Sequence, residues 1–123
     1  MNKNKNINKR EKGAFFEKVA IDYLNKQKVR IVTQNFYCKQ GEIDIIGYDE
    51  TCLVFFEVKA RDTISHGYPA ESVNANKIKR ISRASDYYKF KNNLSEFTLI
   101  RFDVILIEEY EVIWIKNAFD YRG

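Results

Sequence analysis

Asp44, Glu57, Val58 and Lys59 are the residues of this chain whose types and spacing best suit chemistry. Asp44 lies in the apolar run Gly41-Glu42-Ile43-Asp44-Ile45-Ile46-Gly47, and the other three lie in Leu53-Val54-Phe55-Phe56-Glu57-Val58-Lys59-Ala60. Both runs read as strands. Alternate side chains on a strand share a face, so Glu42 goes with Asp44 and Glu57 with Lys59. A two- or four-residue hairpin turn centred on Glu50-Thr51 pairs residues whose numbers sum to about 101. Asp44 then stands opposite Glu57, and Glu42 opposite Lys59. Directly opposed carboxylates, with Cβ atoms roughly 4.5–5.5 Å apart, destabilise a sheet. A shared proton or an intervening cation relieves them. Two hard oxygens beside a lysine suit a Mg2+ site for phosphodiester chemistry.

The expected division of labour follows from those types. Asp44, Glu57 and the Val58 carbonyl bind Mg2+ or Mn2+. Lys59 orients the attacking water or stabilises the developing charge, and a depressed pKa would let it act as base instead. Glu17 is a fourth candidate, reaching the metal directly or through water if the first helix packs over this sheet face. Arg61, just after the strand, is a further phosphate-capable cation. The competing reading of the same charges is a cross-strand ion-pair network at the end of a sheet.

The elements that must position these groups are legible as periodicities. Residues 1–10 form an Asn/Lys-rich tail, read as flexible and basic, ahead of a single domain over 11–123. Residues 11–28 read as a helix with Phe16, Val19, Ala20, Tyr23 and Leu24 on one stripe. Val29 to about Tyr37 is a first strand, and the hairpin supplies the next two. Residues 61–70 are a loop punctuated by Gly67 and Pro69. A second helix starts between Pro69 and Asn76 and stops at Asn92-Asn93, with Ile78, Ile81, Ala84, Ser85 and Tyr88 inward. Tyr87, Tyr88 and Phe90 read as core and helix-end residues rather than base-stacking platforms. Phe97–Ile107 and Glu111–Ile115 are the last strands, joined by a Glu108-Glu109-Tyr110 turn. Arg101 and Asp103 share a strand face and are expected to pair with each other or with the hairpin. The class is mixed α+β, of the α/β kind with a sheet covered by helices.

Composition narrows the function. The chain has 123 residues, 45% hydrophobic and 31% charged, with a net charge of +4 and a pI near 9.0. That balance suits a polyanionic partner. Lys77, Arg80 and Arg83 form a mid-chain basic group expected to contact phosphates, together with the N-terminal lysines. No apolar run approaches the ~20 residues of a membrane span, and no signal-peptide pattern opens the chain, which points to the cytoplasm. Cys38 and Cys52 lack CxxC spacing and read as reduced thiols. With one histidine, His66, there is no zinc set. His66 itself reads as a solvated loop residue.

Taken together, Gly41-Glu42-Ile43-Asp44-Ile45-Ile46, Phe55-Phe56-Glu57-Val58-Lys59-Ala60-Arg61 and Gly67-Tyr68-Pro69-Ala70-Glu71-Ser72-Val73 with Lys77 resemble the YraN-type bacterial family. Gly13, Glu17, Asn35, Cys38, Arg101-Phe102-Asp103-Val104 and Asn117-Ala118-Phe119 match in order. That family is similar to Holliday-junction resolvases and to PD-(D/E)xK restriction-endonuclease-like nucleases. The resemblance implies a central mixed β-sheet flanked by helices, in the core order αβββαβ. It implies Asp44, Glu57 and Lys59 as catalytic residues and Glu17 as the helical acid. It also implies a role for Lys77 in backbone contact or site support. Ile43 stands where the wider superfamily has proline. Resolvase-like relatives work as symmetric dimers, so a homodimer is one expectation.

The function expected is a Mg2+-dependent endonuclease acting on DNA, branched or otherwise structured, in repair or recombination. RNA is the other substrate to weigh. The alternative is a non-catalytic nucleic-acid-binding or scaffold protein with a vestigial nuclease site.

Overall fold

The computed structural model describes residues 9–61, 73–109 and 111–123. Along the chain run α1 (Lys9–Lys26), β1 (Arg30–Cys38), β2 (Gly41–Asp49), β3 (Cys52–Arg61), α2 (Ala75–Lys91), β4 (Ile100–Glu108) and β5 (Glu111–Ile115). The five strands form one sheet in the order β1-β2-β3-β4-β5. β3 and β4 are parallel, and every other neighbouring pair is antiparallel. The parallel pair follows from the β3–α2–β4 crossover, because a parallel return needs a long connection. This is the restriction-endonuclease-like arrangement, with β5 added at the edge.

The sheet is buried on both faces. α1 lays Ala20 and Leu24 on Ile45, Val54, Phe56, Ile105 and Ile107. α2 lays Ile81, Ala84 and Tyr88 on Ile43, Ile46, Leu53, Phe55 and Phe102. Neighbouring β3 residues therefore serve opposite layers, Phe55 towards α2 and Phe56 towards α1. This is why β2 and β3 read as continuous apolar runs, the mark of central strands.

Local signals fix the ends. The Asn74 side chain caps α2 by accepting the Lys77 N–H at 2.9 Å. Asn92 ends that helix, and Asn93 follows in the left-handed region with φ 54°. The hairpin turn has two residues, Glu50 and Thr51, and Asp49 pairs with Cys52 as the summed register requires. Glu50 takes φ 59° there.

Some boundaries differ from expectation. α1 begins at Lys9, so the last two residues of the expected tail are helical. β4 begins at Ile100 rather than Phe97. Residues 95–98 close a turn instead, with the Thr98 N–H donating to the Ser95 carbonyl at 3.0 Å. The rest of the expected tail, most of the 61–70 loop with His66, and Tyr110 lie outside the described residues. Among the described residues no helix is long and apolar enough to cross a membrane. Cys38 and Cys52 are free thiols.

Candidate metal centre

The site is built where two strands part. β2 and β3 pair from Asp49↔Cys52 to Ile45↔Phe56. Past that rung β2 stays with β1, and β3 stays with β4 from Glu57↔Val104 to Arg61↔Glu108. Asp44 stands at the fork. Its Oδ2 accepts the Val58 N–H at 2.8 Å, so a side-chain oxygen takes a backbone donor at the point where the β2–β3 ladder stops. The summed register is therefore correct along the hairpin, but its pairing ends one rung before Asp44 and Glu57 would face each other.

A kink in β1 widens the same place. Asn35 adopts φ 53°, and the register passes from Gln34↔Ile45 to Phe36↔Ile43 without an Asn35–Asp44 pair. Asparagine tolerates this left-handed conformation better than most residues. Its side chain hydrogen-bonds Glu17 of α1. Carboxylate oxygens of Glu17, Glu42 and Asp44 come within 4.8 Å of one another.

Glu57 meets the group from β3. It is only 4% exposed, and its Oε2 lies 2.7 Å from Nζ of Lys77 on α2. Alternation explains the partner, since Glu57 follows Phe55 to the α2 side of the sheet. Glu17 belongs to the opposite layer and reaches Asp44 at the fork. The condition attached to Glu17, that α1 pack over the face of Glu57, is not met, since the helix covers the other face. The acids therefore arrive from both layers at the opening between diverging strands.

The electrostatics match that crowding. Burial pushes the Asp44 carboxyl up to about 8, and the Glu57 charge is the next cause; Glu17 and Glu42 add to it against the Val58 hydrogen bond. Burial likewise raises Glu17, with Asn35 opposing and the charges of Glu42 and Glu57 adding. Burial works against the Lys77 ammonium, but its hydrogen bond and charge pairing with Glu57 outweigh it, and Asp44 adds to the upward shift.

A cavity of about 240 Å³ opens over the group, lined by Glu17, Asp44, Glu57, Val58, Lys59 and Lys77 among others. A second, of about 330 Å³, is lined by Glu42, Asp44, Glu57, Lys77, Arg80 and Tyr37 among others. Lys59 thus shares a cavity with both carboxylates. Arg61 is placed differently from expectation: its guanidinium is paired with Glu108 of β4 at 2.8 Å and is mostly covered. Arg80 and Arg83 are exposed on α2. Sequence reasoning missed Glu42 as a member of the cluster. The Glu42-x-Asp44 spacing on one strand was the available signal. It also left open whether Lys77 contacts a ligand or supports the site; in the structure its ammonium is paired with Glu57. Among the described residues the cluster consists of hard carboxylate oxygens, which at this spacing can hold a metal ion.

A family model described as "Uncharacterised protein family UPF0102" matches residues 16–107. The chain belongs to that family. The matched span starts one residue before Glu17 and holds Glu42, Asp44, Glu57, Lys59 and Lys77. A UPF0102 protein of Clostridioides difficile is 47% identical over 115 residues, covering 92% of this chain and all of the relative. One from Lachnoclostridium phytofermentans is 40% identical over 117 residues, 95% of this chain and 99% of the relative. One from Legionella pneumophila is 38% identical over 112 residues, 89% and 95% respectively. UPF0102 relatives from these bacteria therefore match almost end to end.

Proposed function

We propose that this UPF0102 member is a divalent-metal-dependent endonuclease that hydrolyses phosphodiester bonds in DNA. The observation that carries the reading is Asp44. Burial and three neighbouring carboxylates hold its pKa near 8, a strain that a cation relieves. The donors fit Mg2+ or Mn2+: Asp44, Glu57 and the Val58 carbonyl, with Glu17 and Glu42 beside them. Such an ion, when bound, supplies Lewis-acid polarisation of a phosphate and a more acidic water. Lys59 faces the same cavity and is suited to orient the attacking water or to neutralise charge as it develops. Lys77 holds Glu57 in place. Arg80, at the rim of the adjoining cavity, is suited to a neighbouring phosphate.

Cleavage of a panel of duplex, flap, fork and four-way DNA, with matched RNA structures, tests the reading in Mg2+ or Mn2+. The expected result is metal-dependent cleavage of DNA that Asp44→Ala and Lys59→Ala abolish while DNA binding largely survives. Undiminished cleavage by both purified variants would falsify it. The Lys77–Glu57 pair favours one second reading, because a lysine already balances part of the acidic charge. On that reading the chain binds nucleic acid without cutting it. A salt-sensitive DNA complex with no cleavage of any substrate would support that alternative.

A further inference from the structure

Among the described residues, one flank of α2 is uncovered. The C-terminal segment covers the other: Tyr121 donates to Asp86 at 2.6 Å, and the Arg122 N–H donates to Ser82 at 2.9 Å. On the open side stand Arg80, Arg83, Tyr87 and Phe90. At 100° per residue these four fall within about 80° of arc, and they run about 15 Å along the axis. The basic end lies nearest the acids, since Arg80 lines a cavity with Lys77, Asp44 and Glu57. The aromatic end lies farther away, where Arg83, Tyr87 and Phe90 share a shallow pocket with Gln40 of the β1–β2 turn and with Asp86, whose carboxylate is engaged by Tyr121. Phe90 is 79% exposed and Tyr87 38%. Tyr87 is braced from behind, its ring 6.2 Å from that of Phe36. Core packing accounts for Tyr88 and for the inner side of Tyr87, and leaves the outer side of Tyr87 and most of Phe90 uncovered.

The charge of the helix narrows the occupant. α2 carries Lys77, Lys79, Arg80, Arg83, Lys89 and Lys91 against a single acid, Asp86. An apolar protein surface would not call for that excess, whereas a polyanion does. Exposed aromatic rings beyond a row of cations match unpaired bases rather than a duplex, whose bases are stacked on each other. We propose that this flank of α2 is a path for a single-stranded segment of the nucleic acid. Its phosphates run along Arg80 and Arg83, and its bases stack on Tyr87 and Phe90. The inference rests on the nucleic-acid reading above and adds the substrate class: a duplex or junction with an unpaired strand leading from the cleavage point.

Fluorescence anisotropy in EDTA, with blunt duplexes and duplexes carrying short 5′ or 3′ single-stranded tails, separates the two levels. Wild type is expected to bind tailed DNA more tightly than blunt. Tyr87→Ala/Phe90→Ala should weaken tailed binding by about tenfold or more, at least the scale of one lost base–aromatic stack, and leave blunt binding nearly unchanged. Arg80→Ala/Arg83→Ala should weaken both and flatten the salt dependence. The four positions are at the surface, and unchanged thermal melts check that the variants fold. If wild type binds no oligonucleotide, the nucleic-acid reading itself fails. If it binds tailed and blunt DNA alike, or the aromatic variant keeps the tail preference, only the strand path is overturned. A change of oligomeric state in the aromatic variant without loss of tail preference would also overturn it, and would assign the rings to a second copy of the chain.

Discussion

Asp44 carries its carboxyl where charge is costly, and its titration exposes that cost. Its folded pKa, about 8, lies far above its ordinary value of 3.8. The folded state therefore holds this proton more tightly than the unfolded state. The stability that results is complete below about pH 4 and is lost as pH rises towards 8. In EDTA, the melting temperature of wild type should fall across that window relative to Asp44→Asn. Each kcal/mol is worth about 4 °C at this chain length. Mg2+ should raise the melting temperature more at pH 8 than at pH 5, and thermal melts at the two pH values check both statements. A melting temperature independent of pH in EDTA would mean that Asp44 is not strained. Lys77 gives a second test. Removing it as Lys77→Met leaves Glu57 covered and without its ammonium partner. The cost is expected to be about 1–2 kcal/mol in urea unfolding, below that of a fully buried pair because Lys77 is partly exposed.

At the scale of elements, two glycines let strands and a helix meet. A Cβ on Gly41 would lie 3.2 Å from Cβ and 3.3 Å from the carbonyl oxygen of Arg80, where the β1–β2 turn abuts α2. A Cβ on Gly47 would lie 2.8 Å from the Arg30 carbonyl oxygen of the paired strand, which cannot swing aside. Gly47→Ala should therefore cost about 2 kcal/mol or more and Gly41→Ala about 1, measured by chemical unfolding. Much at this scale was legible beforehand. The hairpin register followed from the symmetry of two apolar runs about Glu50-Thr51, and both helices followed from their stripes. Arg101 does pair with Asp103 and with the hairpin residue Asp49. The parting of β2 and β3 was not legible, because nothing in a run of alternating side chains says where a strand changes neighbour. Arg61 was read as free for phosphate because its partner, Glu108, lies on a strand 47 positions later. Phe90 does lie at the helix end, as expected, but its exposure was not legible, because a helix pattern shows which face is apolar, not which flank a distant segment will occupy.

For the whole molecule, the end of the sheet away from the acids is tied by one fully buried carboxylate. Asp103 accepts from Arg101, from the Trp114 indole N–H at 2.8 Å and from the Asn117 N–H at 2.8 Å. Arg101 also holds Asp49 at 2.8 Å, so β2, β4 and the segment after β5 share one knot. Asp103→Ala removes the acceptor of the half-buried Arg101 and Trp114 donors, leaves Arg101 its Asp49 partner, and should cost about 2–3 kcal/mol, followed by Trp114 fluorescence during unfolding. The Arg101 hydrogen bond depresses Asp49, so its contribution is present above about pH 4 and fades as acid protonates it. The crossover through α2 has a further meaning for synthesis. Glu17, Glu42, Asp44 and Glu57 have all been synthesised by the time β3 is made, yet β3 lacks its parallel neighbour over Leu53↔Ile100 to Arg61↔Glu108 until β4 arrives. A nascent chain halted at Lys91 would hold all four acids but lack β4 and β5, so the cluster is complete in sequence before the sheet beneath it is complete in space.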